Sequence, residues 1–466
     1  MPPPNTDIEL ENVQGFITFG YGHLEYAAYL CLHLEDGTRG RQWLAQVIPH
    51  VTPAHAEKGT QAVHVALTFD GLAALGLPQD GLGTFPRQFQ EGMAAPDRAR
   101  ILGDQEDEAP EHWQFGGPNT GTIHVLLMLF AHTPEARVAL AARHEAILKE
   151  THAARVVWRE DSERPPRNEE HFGFRDGLSQ PAIAGAPPAP KPGQTILPPG
   201  EFILGYPNAY GQIPFAPTVA ASTDPDGLLR PDPNDPARLS LGADGTYVVF
   251  RKLHQDVPAF WRYFRSHAAG QADQHAEALR LAAKCVGRWR SGASLTLSPD
   301  HDNGEPDNDF GYRASDPIGM GCPIGAHVRR TNPRDMLAPD TADNAQTINH
   351  HRLLRRGRPY GPCLSHPETA ADDGADRGLL FLAVNASLRR QFEFVQQTWV
   401  NAPTFGGLST DRDPILGDRP DRTVTLPGLP VRTRLCGLPR FVTMRGGGYF
   451  FLPGLPALRY LSRLPG

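Results

Sequence analysis

The stretch "TIHVLLMLFA" at 122–131 runs straight into "HTPEARVALAARHEAILKE" at 132–150, and that junction decides the fold. The first segment is an unbroken apolar run of strand length, and the second has the composition and length of a helix. Thr133 stands where an N-cap is needed and Pro134 at the first helical position. "ARVVWRE" (154–160) then returns as a strand. Working backwards, "EYAAYLCLHLE" (25–35) reads as a strand, "RGRQWLAQVIPHV" (39–51) as a helix and "AVHVALTF" (62–69) as a strand. "DGLAALGL" (70–77) makes a short helix. The order β-α-β-β-α-β is the ferredoxin-like split unit, an antiparallel sheet with helices packed on it. Strand-then-helix recurs twice in the second half. "TYVVFRKL" (246–253) leads into "QDVPAFWRYFRSH" (255–267), and "GLLFLAVN" (378–385) into "ASLRRQFEFVQQTW" (386–399).

The expected class is therefore α+β, with two ferredoxin-like domains in tandem. Between them, "PAIAGAPPAPKPGQTILPPGEF" (181–202) carries too many prolines for a helix or a central strand and reads as an ordered crossover. The boundaries expected are 1–180 for the N-terminal domain, 181–240 for the Pro/Gly-rich crossover and 241–466 for the C-terminal domain.

Hydrophobic residues make 40% of the 466-residue chain and charged ones 21%, as in a globular protein with a sizeable core. The net charge of −7 gives no electrostatic reason to expect nucleic acid or an anionic membrane as partner. The longest apolar run, "VLLMLFA" at 125–131, is far short of the roughly 20 residues that span a bilayer. "MPPPNTDIELENVQG" lacks the basic and apolar segments of a secretory signal, so a cytoplasmic setting is expected. Cys31, Cys285, Cys322, Cys363 and Cys436 are odd in number and form no CxxC pair. That argues against a zinc site, a disulfide framework or covalent haem attachment, and for small buried hydrophobes.

Three stretches carry chemistry. "HFGFRDGLSQP" (171–181) pins one carboxylate, Asp176, between glycines, aromatics and a proline. "GCPIGAHVRRTNPR" (321–334) offers His327 with Arg329, Arg330 and Arg334. "HHRLLRRGRPYG" (350–361) is a second arginine cluster. Such a set suits a flat metal macrocycle bearing two propionates: histidine as axial ligand, arginines on the carboxylates, and a carboxylate–arginine pair to handle peroxide on the other face. Taken singly, each piece has a plainer reading. A lone histidine is often structural, an arginine cluster is often a solvated or salt-bridged face, and a GxxDG run is often a turn capped by its own Asp. The acidic loop 298–312 fits no calcium-loop spacing and reads as a solvated loop.

The chain resembles the dye-decolourising (DyP-type) haem peroxidases over nearly its whole length. "GFRDG" (173–177) with the following "SQP" matches the family's GxxDG motif, and "GAHVRRTNPR" (325–334) is similar to its proximal-histidine segment. "LLRRGRPYG" (353–361) is similar to the distal-arginine segment, and "RGLLFLAVNASLRRQFEFVQQTWVN" (377–401) to the stretch lining the pocket. "NVQGFITFGYGHLEYAAYLCLHL" (12–34) and "PPGEFILGYPNAYG" (198–211) resemble further family blocks.

The resemblance implies one haem b per chain, held mainly by the C-terminal domain. It implies oxidation of phenolic and dye-like donors by hydrogen peroxide through a ferryl intermediate. Asp176 would be the distal acid–base, Arg355 the charge-stabilising residue with Arg356 as second choice, and His327 the iron ligand. Glu393 would accept the His327 ring N–H. Leu379 and Phe381, two apart on one strand, would form a dry wall. Arg330 and Arg334 would pair with propionates. Asp176 beside an arginine should stay ionised in acid, so an acidic optimum is expected. Bulky dyes would pass electrons through a surface Trp or Tyr. A haem-handling protein of the same fold is the alternative, and an α+β protein without cofactor the plainest one. No nucleic acid or membrane partner is expected, and a homo-oligomer is left open.

Overall fold

The structure, a computed structural model, describes residues 7–56, 59–337, 347–418 and 422–465. Residues 1–6, the start of the segment read for a leader, lie outside these.

The N-terminal half supplies β1 (Tyr26–Leu34), α1 (Gly37–Val47), β2 (Gln61–Leu67), β3 (Val125–Ala131), α2 (Pro134–Thr151) and β4 (Ala154–Glu163). The α2 start forms as its sequence dictates: Thr133 accepts the Ala136 N–H at 3.1 Å and Pro134 begins the helix. The strands lie antiparallel in the order β4-β1-β3-β2, that of a ferredoxin-like unit. The C-terminal half supplies β5 (Thr246–Gln255), α3 (Val257–His267), α4 (Gln274–Val286), α5 (His327–Thr331), β6 (Leu354–Arg355), β7 (Arg358–Tyr360), β8 (Gly378–Asn385) and β9 (Val442–Leu452). Its order, β9-β5-β8-β7, is the same, with β6 also paired to β8.

The two units share one sheet. Tyr360 of β7 pairs with Ser162 of β4, and Phe451 of β9 pairs with Leu67 of β2, so the strands form a closed ring. Side chains alternate accordingly. Ala27, Tyr29 and Cys31 of β1 join Leu380 and Leu382 of β8 in an inner cluster. Ala28, Leu30 and Leu32 face the helices with Trp43 of α1 and Trp261 of α3.

Helix α4 and strands β6 and β7 were not read in the sequence, and two further departures bear on the sheet and the cavity. Strand β9 was not read, because Gly446, Gly447 and Gly448 interrupt its pattern. Those glycines admit a neighbouring loop: the Gln114 N–H donates to the Arg445 carbonyl at 2.6 Å, and a Cβ on Gly446 would meet the Phe115 ring at 2.6 Å. The register with β5 shifts at the same place, between Met444 and Gly446. The helix expected over 386–399 is wound as two π-helical segments, Arg389–Glu393 and Val395–Val400. In the crossover, Ala182–Ile183 pairs in parallel with Ile196–Leu197, and Pro199, Gly200 and Glu201 are buried.

Candidate active site

A cavity opens between the helix-facing side of the sheet, α5, the π-helical segments and the 171–181 loop. Its residues come from 170–179 and from the C-terminal half. Most of the wall is apolar: Leu253 on β5, Leu379 and Phe381 on β8, and Phe392, Val395, Ile415 and Leu416 around them. Leu379 and Phe381 reach it because residues two apart on a strand share a face, while Leu380 between them turns into the inner cluster.

Asp176 and Arg355 meet on this wall. Arg355 lies on β6, with its N–H donating to Gln180 Oε1 at 2.9 Å, and its Nη1 donates to Asp176 Oδ1 at 3.0 Å. The Gly177 N–H donates to the same oxygen at 2.6 Å, leaving Asp176 Oδ2 without a partner among the described residues. Gly173 and Gly177 adopt φ of 91° and 81°, a left-handed conformation that glycine accepts at little cost and that the tight hairpin needs. Burial alone would raise the Asp176 carboxyl. The Arg355 charge and hydrogen bond, the Gly177 N–H and His327 outweigh it and hold Asp176 below its ordinary value. Arg356 points the other way, donating to the carbonyls of Phe16, Ile17 and Thr18, so the second choice for this role does not face the cavity.

His327 begins α5 and lines the cavity. Its Nδ1 lies 2.9 Å from Oδ2 of Asp413, and its Nε2 has no partner among the described residues. Asp413 has no exposed surface, and its Oδ1 accepts the N–H groups of Ile415 and Leu416 at 2.8 Å. Burial would raise its pKa, but the His327 partner and these donors pull it below the ordinary value. The expectation that Glu393 would accept the His327 ring N–H is therefore corrected. Glu393 accepts from Arg98 and from the Tyr449 hydroxyl, both at 3.0 Å, and does not line the cavity.

The arginines are also redistributed. Arg330 is fully buried and spends its guanidinium on the carbonyls of Gly325, Trp399, Ala402 and Asp411. Arg334 donates to the carbonyls of Asn308 and Phe310 and to Asn308 Oδ1, with its guanidinium stacked on Phe310. Neither lines the cavity, where both were expected to pair with propionates. Arg288 and Arg352 are there instead, around Ser179. Neither makes an ion pair with a described carboxylate; their donors end on carbonyls, hydroxyls and one amide oxygen. Burial, with Arg334 and Arg355 nearby, lowers Arg352 to about 9, which marks a buried cation lacking an anion.

No protein-family model matches the chain. It is 30% identical to a dye-decolorizing peroxidase of Mycena epipterygia, over 98% of this chain and 87% of that one. The chain belongs to the dye-decolorizing peroxidase family. A dye-decolorizing peroxidase of Auricularia auricula-judae is 31% identical, over 97% of this chain and 87% of its own. The crystal structure of an Auricularia auricula-judae family member superposes with a TM-score of 0.79 at 29% identity, covering 98% of this chain and all of that one. A dye-decolorizing peroxidase in complex with 2,6-dimethoxyphenol superposes with a TM-score of 0.78 at 28% identity, again over 98% of this chain.

As a peroxidase of this family, the protein shows few Trp and Tyr side chains at its surface. Of its six tryptophans only Trp158 is partly exposed, the other five being buried. Among the tyrosines Tyr210 is exposed and Tyr26 half-buried. All five cysteines are free thiols, with Cys31, Cys285 and Cys322 buried as read and Cys363 and Cys436 exposed. The loop 298–312 holds no metal-type cluster among the described residues. No helix of the described residues is long and apolar enough to cross a membrane.

Proposed function

We propose that the cavity holds haem b and that the protein uses hydrogen peroxide to oxidise phenolic and dye-like aromatic donors. The residues fit that group. An imidazole nitrogen without a partner among the described residues, a long apolar wall and two buried guanidiniums that face no described carboxylate match an axial metal ligand site, a flat hydrocarbon ring and two carboxylates. His327 Nε2 would ligate the metal, Leu379 and Phe381 would lie against the ring, and Arg288 and Arg352 would take the propionates. Bound haem supplies the iron at which peroxide is split and the oxidising equivalents that aromatic donors consume.

The chain's own part is proton handling and charge. Asp176 Oδ2, without a partner among the described residues, takes a proton from one peroxide oxygen and returns it to the other, which then leaves as water. Arg355 holds the carboxylate ionised and offers positive charge as the O–O bond lengthens. Asp413 fixes the His327 tautomer with Nδ1 protonated and makes the imidazole a stronger donor. The carrying observation is the Asp176–Arg355 pair at 3.0 Å in the cavity that also contains His327. A protein that only stored haem would need the histidine and no such pair. The strand orders and the ordered crossover support the division into 1–180, 181–240 and 241–466.

An absorption spectrum of the haem-loaded protein, before and after one equivalent of hydrogen peroxide, tests this. A Soret band that shifts within seconds, followed by oxidation of 2,6-dimethoxyphenol, is expected. A Soret band indifferent to peroxide would overturn the peroxidase reading, and no Soret band after reconstitution would overturn the haem site.

A further inference from the structure

The hairpin that carries Asp176 has a second carboxyl in the same cavity, Glu170, which the chemistry above leaves unused. The hairpin pairs 168–170 against 174–176. The Asp176 N–H donates to the Asn168 carbonyl at 2.9 Å, and Asn168 Nδ2 donates to the Asp176 carbonyl at 2.5 Å. Glu169 bridges Arg175, and the Glu170 N–H donates to the Phe174 carbonyl at 2.9 Å. The turn between them aims the Phe172 and Phe174 N–H groups inward. Glu170 satisfies both, Oε2 accepting from Phe172 and Oε1 from Phe174, each at 2.9 Å. Two such donors without acceptors would cost about 1–3 kcal/mol apiece.

Glu170 also ties the hairpin to the sheet. Gln255, the last residue of β5, donates Nε2 to Glu170 Oε2 at 2.5 Å, and β5 carries Leu253 of the cavity wall. Other fasteners hold the turn from behind: Arg290 Nε on the Gly173 carbonyl at 3.0 Å and Trp261 Nε1 on the Phe172 carbonyl at 3.1 Å. His171 Nε2 also lies 2.8 Å from the Tyr360 carbonyl on β7, and Arg355 on β6 holds Asp176 itself. Among the described residues, the Glu170–Gln255 tie is the one within the cavity that joins the turn to β5, which pairs with β8.

We propose that Glu170 is a positioning residue for Asp176, whose carboxylate locks the hairpin turn to β5 and so sets where Asp176 presents its free oxygen. The charged group facing Glu170 is Asp176 on its own hairpin, while Gln255 on β5 is neutral. Burial pushes Glu170 up to about 7, against three N–H donors and with the Asp176 charge adding. Gln255 Oε1 has no partner among the described residues, so a turned amide accepts a hydrogen bond from the Glu170 carboxyl once it is protonated in acid. The tie thus survives a change of protonation, which Gln at 170 imitates and Ala does not.

The inference rests on the assignment of Asp176, and a double-mutant cycle on haem-loaded protein separates the two. Asp176→Asn alone tests the assignment: an undiminished rate with peroxide removes it and this proposal together. With that loss in hand, Glu170→Ala is expected to slow the peroxide reaction roughly tenfold, the scale of a mispositioned acid–base group. Haem absorbance per protein should hold, and Glu170→Gln should recover most of the rate. In the Asp176→Asn background Glu170→Ala should cost nothing further. Losses that multiply, or a native rate in Glu170→Ala, overturn the proposal. If Glu170→Ala does not fold, Gln255→Leu leaves the hairpin's own bonds intact and should show a smaller loss with the same non-additivity.

Discussion

Nδ1 of His327 and Oδ2 of Asp413 stand 2.9 Å apart although 86 residues separate them, and the carboxylate is wholly buried. A negative charge held there makes the imidazole electron-rich. Asp413→Asn should raise the iron reduction potential and weaken haem retention or turnover roughly 10- to 100-fold. Glu393→Gln is the control: it should lower stability by about 1–3 kcal/mol through the Arg98 and Tyr449 bonds while leaving the potential alone. Spectroelectrochemical titration of the two variants distinguishes them.

Asp176→Asn should keep the haem and slow the reaction with peroxide by about 10²- to 10⁴-fold. Stopped-flow absorbance reads the rate, and the Soret-to-protein ratio reads the haem. Equal rates would leave Arg355 with no acid–base partner.

The pH dependence follows from sign. Asp176 is held below the ordinary value of about 3.9, so its carboxylate is present above the folded pKa and lost as pH falls through it. The rate with peroxide should persist well into acid, with its acid limb below that ordinary value. An acid limb at 5 or higher would contradict the geometry at Oδ1.

Arg352→Met should cost haem affinity, by roughly tenfold for one charge-assisted contact. Arg330→Met should instead lower the melting temperature, because four carbonyl groups lose their donor. Haem titration and thermal unfolding should give opposite rankings for the two variants.

Local rules reach some of these positions and fail at others. His327, Asp176 and Arg355 lie in compact motifs that the sequence shows directly. Helical spacing on α5 separates neighbours: His327, Val328 and Thr331 face the cavity, which turns Arg330 away from it. Strand alternation likewise sorts Arg355 from Arg356. Asp413 obeys no such rule. Its contact with His327 is fixed by how a loop packs against a helix, and no periodicity distinguishes it from Glu393. Arg288 is hidden in the same way, since the folded loop 298–312 and Ser179 bring it to the cavity.

The single-residue joins at Tyr360–Ser162 and Phe451–Leu67 have a further consequence. Each unit gives its last strand to the other's second strand, a reciprocal exchange such as two subunits make across a two-fold axis. The chain is in effect a dimer with itself, and each half shields edges that would otherwise recruit strange strands. Severed in the crossover, the halves should stay clasped; made apart, each should seek a partner of its own kind.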